Sequence, residues 1–142
     1  MTTVNVYLTF DGNCEAAFNF YKSVFGGEFT FMGRFDEMPD SPEFSIPADQ
    51  KNRIMHITLP IGGDTVLMGS DTISGFGPEM IVGNNFSISI SPESRAAADH
   101  FFASLSKDGH ATMPMQDQFW GSYYGMCKDK FGINWMINFG ES

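Results

Sequence analysis

The fold of this chain is decided by a ten-residue stretch, EAAFNFYKSV at residues 15–24, which has a counterpart later in the chain. Its apolar residues recur at positions i, i+3, i+4 and i+7, the spacing of one face of an α-helix. They are Ala17, Phe20, Tyr21 and Val24. The stretch AAADHFFASL, residues 96–105, repeats this spacing at a constant offset of 81 positions. The equivalent residues there are Ala98, Phe101, Phe102 and Leu105. The sequence therefore predicts two amphipathic helices in equivalent places.

Polar residues and glycines mark the ends of both helices. Asn13 is expected to cap the first helix, and Ser91, followed by Pro92, the second. Gly26 and Gly109 follow the two C-terminal ends. Each helix lies between β-rich segments that are separated by glycine-containing turns. The predicted strands cover residues 4–10, 28–34, 53–61, 64–70, 85–91, 110–115, 123–128 and 133–139. Each half thus has the order βαβββ, and the predicted fold class is α+β.

A glycine- and proline-containing segment, residues 75–83, separates the two halves. We therefore predict one domain over residues 1–142, made of two βαβββ modules at about 1–74 and 84–142. An acidic group between the second and third strands is expected to be a solvated loop. It consists of Asp36, Glu37, Asp40 and Glu43.

The composition excludes several classes of partner. With a net charge of −9 and a pI near 4.5, the chain would repel nucleic-acid phosphates and anionic membrane surfaces. No apolar stretch approaches the length needed to cross a bilayer, and the N-terminus lacks the features of a signal peptide. We predict a cytoplasmic protein with no nucleic-acid or membrane partner. Cys14 and Cys127 lack CxxC spacing and are expected to be reduced thiols.

Three segments are similar to sequence blocks of the PhnB-like branch of the vicinal oxygen chelate superfamily. They are FDGNCEAAFNFYKSVFGGE at 10–28, RIMHITL at 53–59 and DKFGINWMINF at 129–139. This superfamily includes glyoxalase I, extradiol dioxygenases and the bleomycin and fosfomycin resistance proteins. The resemblance implies two curved mixed sheets that face each other to form a cup. Some members of the branch carry a demethylubiquinone methyltransferase label, but no methyl-donor-binding glycine loop follows the first strand here.

The resemblance also implies a test for a metal site. The superfamily holds a divalent metal with side chains from the first and fourth strands of each module, and such metals need His, Asp, Glu or Cys ligands. The four corresponding segments contain none of these residues before Asp71, which ends the fourth strand. The resemblance places Met68 and Met136 where the two carboxylate ligands would stand. We therefore predict no metal and no other cofactor.

The remaining candidates for a functional site are one histidine and several aromatic, serine and methionine side chains. His56 lies in the middle of a strand and is a candidate catalytic base or hydrogen-bond partner. The alternative is a half-buried histidine bonded to a neighbouring carbonyl. Tyrosine and tryptophan offer contact area with a polar group, methionine suits apolar ligands, and alternation puts Ser87 on a polar strand face. The predicted ligand-binding residues are Tyr7, His56, Met68, Ser87, Trp120, Trp135 and Met136.

Three functions remain open at this stage. The favoured one is binding of a small apolar or aromatic molecule in the cup without a catalytic metal. The second is a metal-dependent lyase, isomerase or dioxygenase that takes its ligands from other positions, starting from His56 and an acidic side chain. The third is a metal-independent enzyme with His56 as general base.

We also predict a homodimer. Two helices can cover only part of eight strands, and each sheet ends in edge strands with unpaired backbone groups. Closed two-fold pairing is the commonest way to cover such surface, and the resemblance implies it as well.

Overall fold

The computed structural model describes residues 2–39 and 45–140. The chain divides between Ile81 and Val82 into two compact units, which we call the first unit and the second unit. The division falls inside the segment 75–83 that the sequence marks as a linker. Within the described residues, each unit contains one α-helix and one four-stranded mixed sheet. Asp40 and Glu43 of the acidic group lie outside the described residues.

The first unit follows the order βαβββ. Its elements are β1 (Val6–Phe10), α1 (Cys14–Phe25), β2 (Phe31–Arg34), β3 (Ile54–Gly62) and β4 (Thr65–Asp71). The strand order in the sheet is β1-β4-β3-β2, with β1 parallel to β4 and the other neighbours antiparallel. Single turns of 3-10 helix at Phe35–Glu37 and Ala48–Gln50 lie between β2 and β3.

The second unit repeats this topology. Its elements are β5 (Ile88–Ile90), α2 (Arg95–Ser106), β6 (His110–Asp117), β7 (Tyr123–Lys128) and β8 (Asn134–Phe139). The strand order is β5-β8-β7-β6, and the first strand of the unit is again parallel to the last. The internal repeat visible in the two helices therefore extends to the whole module. This architecture confirms the predicted α+β class with tandem βαβββ modules.

The core of the first unit lies between α1 and one face of its sheet. Alternate residues of the strands, among them Leu8, Leu59 and Leu67, are buried on that face. On the helix, Phe18 is fully buried, whereas the predicted Phe20 is only half-buried. A Cβ on Gly69 would lie 2.7 Å from the Phe18 ring. The glycine therefore lets that ring pack directly on β4.

Neither helix is capped by the predicted side chain. Asn13 makes no side-chain cap bond; instead Oδ1 of Asp71, at the end of β4, accepts hydrogen bonds of 2.9 Å from the backbone N–H groups of Gly12 and Cys14. The cap of α2 is Ser94, whose hydroxyl accepts from the Ala97 N–H at 3.0 Å, and not Ser91. The first correction reflects a tertiary contact between residues distant in the chain. The second moves the N-cap of α2 three positions along the chain from the predicted Ser91 to Ser94.

Candidate functional site

Each sheet has one face that packs against its own helix and a second face that points away from it, which we call the far face. On the first sheet, Tyr7 of β1 and Thr58 of β3 are both direct neighbours of Met68 in β4. Phe31 of β2 is the neighbour of Thr58, and His56 lies two residues before Thr58. Directly paired residues on adjacent strands point to the same side. These five side chains therefore share the far face of the first sheet.

His56 is held on this face by two hydroxyl groups. The Tyr7 hydroxyl lies 3.2 Å from Nδ1, and the Thr58 hydroxyl lies 3.0 Å from Nε2. A neutral imidazole has one N–H donor and one acceptor nitrogen, so one hydroxyl accepts while the other donates. The histidine partners are thus side-chain hydroxyls and not backbone carbonyls. Among the described residues no carboxylate is bonded to His56.

Aromatic rings flank the imidazole on this face. The ring centroids of Tyr7 and Phe31 lie 5.6 and 5.7 Å from that of His56. Tyr7 and Phe31 are each 48% exposed, while His56 and Met68 are half-buried. These side chains form a patch of aromatic and thioether surface. One chain of hydrogen bonds, Tyr7–His56–Thr58, crosses the patch. Its five side chains carry no fixed charge.

The far face of the second sheet contains two of the other predicted residues. Met136 of β8 is the direct neighbour of Met126 in β7 and of Ser89 in β5. The ring of Trp120, in the β6–β7 connection, lies 6.3 Å from that of Tyr124, which belongs to β7. Tyr124 is in turn the neighbour of Asn138, two residues beyond Met136. Ser87 lies just before β5 and is half-buried.

Trp135 is predicted to contact the ligand, but the structure places its side chain elsewhere. It is fully buried, and its indole N–H donates to Oδ2 of Asp129 at 2.8 Å. Oδ1 of the same carboxylate accepts from the backbone N–H groups of Phe131 and Ile133. Successive residues of a strand point to opposite faces, so Trp135 and Met136 cannot both lie on the far face. Trp135 is a core residue of the second unit.

Within the first unit, the structure therefore brings together Tyr7, His56 and Met68, which lie far apart in the sequence. The sequence reasoning missed Thr58 and Phe31 on this face, and Asn138 on the far face of the second sheet. Period-two alternation was the signal that could have found two of them. Thr58 lies two positions after His56, and Asn138 two positions after Met136.

The side chains present do not fit the divalent metal that the superfamily implies. Over residues 2–39 and 45–140, no three His, Cys, Asp or Glu side chains cluster closely enough to hold an ion. Asp71, the acidic residue at the end of β4, is buried, and its carboxylate accepts from the N–H groups of Gly12, Cys14 and Ile54. This carboxylate is thus used within the fold. The absence of metal from the protein itself stays a prediction.

The two cysteines are free and buried. Burial, together with the nearby Asp129 carboxylate, raises the pKa of the Cys127 thiol to about 11. Burial and the charge of Asp71 also raise the pKa of Cys14. Both thiols are therefore poor nucleophiles in the folded protein.

The family model described as 3-demethylubiquinone-9 3-methyltransferase matches residues 2–138 of this chain. The chain belongs to this family. Protein YjdN of Escherichia coli is 30% identical over 138 residues, covering 93% of this chain and 91% of YjdN. The crystal structure of protein PA1353 from Pseudomonas aeruginosa is 35% identical, with a TM-score of 0.83 and full coverage of both chains.

The PhnB protein from Bacillus cereus is 24% identical, with a TM-score of 0.76 over 98% of this chain and 100% of its own. A glyoxylase/bleomycin resistance protein/dioxygenase domain from Frankia is 17% identical, with a TM-score of 0.67 over 100% of this chain and 93% of its own. These similarities confirm the PhnB-like resemblance and the vicinal oxygen chelate fold. No helix in the described part of this family member is long and apolar enough to cross a membrane.

Proposed function

We propose that this PhnB-like protein binds a small apolar or aromatic molecule against the far face of the first sheet, without a catalytic metal. The observation that supports it is the Tyr7–His56–Thr58 chain, placed beside Met68 and Phe31. Ligand sites typically combine apolar and aromatic lining with a few placed polar groups. Here the rings and the thioether supply contact area, and the hydroxyl–imidazole chain supplies the polar contact.

The charge of this face favours an uncharged ligand. Its five side chains carry no cationic group, and the chain as a whole has a net charge of −9. A carboxylate or phosphate brought to the face would lose hydration without gaining a counter-charge there. A phenol or a carbonyl compound, in contrast, exchanges one hydrogen bond with water for one with Tyr7 or His56.

We do not extend the activity in the family's description to this chain. The β1–α1 connection is only Asp11-Gly12-Asn13, which lacks a glycine-rich methyl-donor loop. The N–H groups of Gly12 and Cys14 at the start of α1 already donate to Asp71. These two donors at the start of α1 are therefore used within the fold and do not bind a cofactor.

General-base catalysis by His56 is a second candidate, because one side of the imidazole is bonded to the partly exposed Tyr7 hydroxyl. That contact offers a route for a proton between the ring and a bound molecule. Nothing in the site favours the metal-dependent alternative, since His56 has no acidic partner among the described residues.

The binding proposal is tested by NMR of protein labelled at the methionine methyl groups, titrated with 2-naphthol. We expect the Met68 methyl resonance to shift and saturate. His56→Phe keeps a flat ring but removes both nitrogens, and it should weaken binding at Met68 about fivefold or more. The matched control is His110→Phe, at an exposed position at the start of β6 in the second unit. The proposal is refuted if Met68 does not respond to millimolar 2-naphthol, or if both variants bind like wild type.

A further inference from the structure

A buried polar atom without a partner lies on the far face of the second sheet. Oδ1 of Asn138 is shielded from solvent and accepts no hydrogen bond, and it is the only such side-chain atom in the described part of the chain. Folding removes this oxygen from water without replacing the lost hydrogen bond, which destabilises the folded state. A bound molecule that donates a hydrogen bond would satisfy this oxygen once the side chains that shield it move aside.

The surroundings of Asn138 are aromatic and thioether groups. Tyr124 is its direct neighbour across the β7–β8 pair, and the ring of Trp120 lies 6.3 Å from the Tyr124 ring at an interplanar angle of 63°. Met126 and Met136 form the next pair on this face. Burial raises the pKa of Tyr124, so its hydroxyl stays neutral at physiological pH. Asn138 Oδ1 therefore lies among rings and sulfur atoms, with Gln116 of β6 on the other side of Tyr124.

Trp120 is suited to contact a molecule placed there. The side chain is 49% exposed, so it retains free ring surface after its contact with Tyr124. Tryptophan and tyrosine faces bind flat aromatic molecules through large contact area at a small cost in side-chain freedom. Methionine side chains adapt their shape to such ligands.

We infer that the far face of the second sheet binds a flat aromatic molecule with one N–H or O–H donor, which Asn138 Oδ1 accepts while Trp120 and Tyr124 contact the ring. The inference rests on the proposed function for the class of ligand, and it adds the atom that selects among such ligands. A site that offers a buried hydrogen-bonding group discriminates against analogues without the complementary group. The donor is thus the specificity-determining feature of the ligand.

The test compares indole with 1-methylindole, which differ only in the N–H group, by NMR titration of the full chain. Wild-type protein should bind indole about five- to tenfold more tightly than 1-methylindole, the ratio expected for one hydrogen bond. The Asn138→Leu variant should bind both probes equally. Asn134→Leu, at the same face of the same strand, is the matched control and should keep the preference.

A second readout in the wild-type protein does not depend on any variant folding. Indole should shift the side-chain amide resonances of Asn138 and the methyl resonance of Met136, whereas 1-methylindole at the same concentration should shift them less. Equal affinities of wild-type protein for the two probes, or unchanged Asn138 resonances at saturation, would overturn the inference.

The same spectra separate this inference from the proposed function. If indole shifts Met68 but neither Asn138 nor Met136, the inference about the second sheet is wrong and binding on the first sheet stands. If it shifts the second-sheet resonances with the expected preference while Met68 responds neither to indole nor to 2-naphthol, the inference holds and the first-sheet proposal fails. If no resonance on either far face responds, both are overturned.

Discussion

The indole nitrogen of Trp135 lies 2.8 Å from Oδ2 of Asp129, and both side chains are buried. The same carboxylate accepts from two backbone N–H groups of the turn that joins β7 to β8, those of Phe131 and Ile133. A buried carboxylate with several donors is stable, whereas one that loses a donor destabilises the fold. The hydrogen bond therefore fixes this turn to the core of the second unit, and it explains why a tryptophan occurs at the start of the last strand.

Replacement of Trp135 by phenylalanine is expected to destabilise the protein by about 2–4 kcal/mol, because it leaves a cavity and removes the donor to Oδ2 of Asp129. Urea denaturation measures the change. Trp120→Phe is the matched control, since that side chain is 49% exposed, and it should change the free energy of unfolding by less than about 0.5 kcal/mol. A loss for Trp135→Phe no larger than that of the control would contradict the role of this bond.

Both cysteines should be unreactive in the folded protein. With the pKa of Cys127 raised to about 11, only about one thiol in a thousand is ionised at pH 8. Cys14 is fully buried, and its pKa is raised as well. Both thiols should react with Ellman's reagent in about 8 M urea, which unfolds small domains. In buffer without urea we expect no reaction over the same time. An exposed thiol introduced as Ser23→Cys should react at once, and rapid reaction of the unmodified native chain would contradict the burial of both thiols.

The ion pair between Glu15 and Arg34 predicts a pH dependence. The two terminal guanidinium nitrogens of Arg34 donate to the carboxylate, at 2.7 and 3.1 Å, and this hydrogen bonding lowers the pKa of Glu15 from its ordinary value of 4.5. A group whose pKa is lower in the folded state stabilises the fold above its unfolded pKa, and that contribution is lost as the pH falls through the folded value. Because both side chains are partly exposed, Glu15→Gln should cost less than about 1 kcal/mol at pH 7.

The stability difference between wild type and Glu15→Gln should therefore shrink as the pH falls below 4.5. Urea denaturation at a series of pH values measures it. The exposed Glu93 provides the comparison, since Glu93→Gln should leave stability nearly unchanged at every pH. A difference for Glu15→Gln that grows on acidification would show that the ion pair does not stabilise the folded state.

Protein purified without an affinity tag is expected to contain no stoichiometric divalent metal. The far-face positions of β4 and β8 that would supply carboxylate ligands are Met68 and Met136, and thioethers are poor ligands for zinc, manganese or nickel. Elemental analysis after dialysis tests this directly. One equivalent of metal per chain, removable by a chelator, would show that the chain holds an ion with residues outside the superfamily's positions.

We expect a homodimer in solution. Several large apolar side chains outside the proposed ligand-binding face are exposed in the first unit, including Val4, Met32 and Ile81, and β2 is an edge strand of its sheet. Each large apolar side chain covered at an interface contributes roughly 1.5–3 kcal/mol. Light scattering coupled to size exclusion should give about twice the 15.8 kDa of one chain. A mass that stays near 15.8 kDa on concentrating would refute the dimer.

Much of the fold could be predicted from the sequence because its signals are local. The apolar spacing at Ala17, Tyr21 and Val24, repeated at Ala98 and Leu105, depends only on helix geometry, and all five residues are buried. The β7 bounds, Tyr123–Lys128, are also those that the alternation and turn residues predicted. Local periodicity and turn chemistry thus determined the number, order and repetition of the elements.

The candidate site depended on contacts that no local pattern contains. Tyr7 meets His56 across 49 positions only because β1 pairs with β4 and β4 with β3, and the register of those pairs decides which side chains are neighbours. Asp71 replaces Asn13 as the cap of α1 for the same reason. The sequence by itself determined the two βαβββ modules and the lack of metal ligands in their key strands. The tertiary structure alone decided that Trp135 is core, that Asn138 has an unsatisfied oxygen and that His56 lies between two hydroxyls, because strand register fixes which distant side chains share a face.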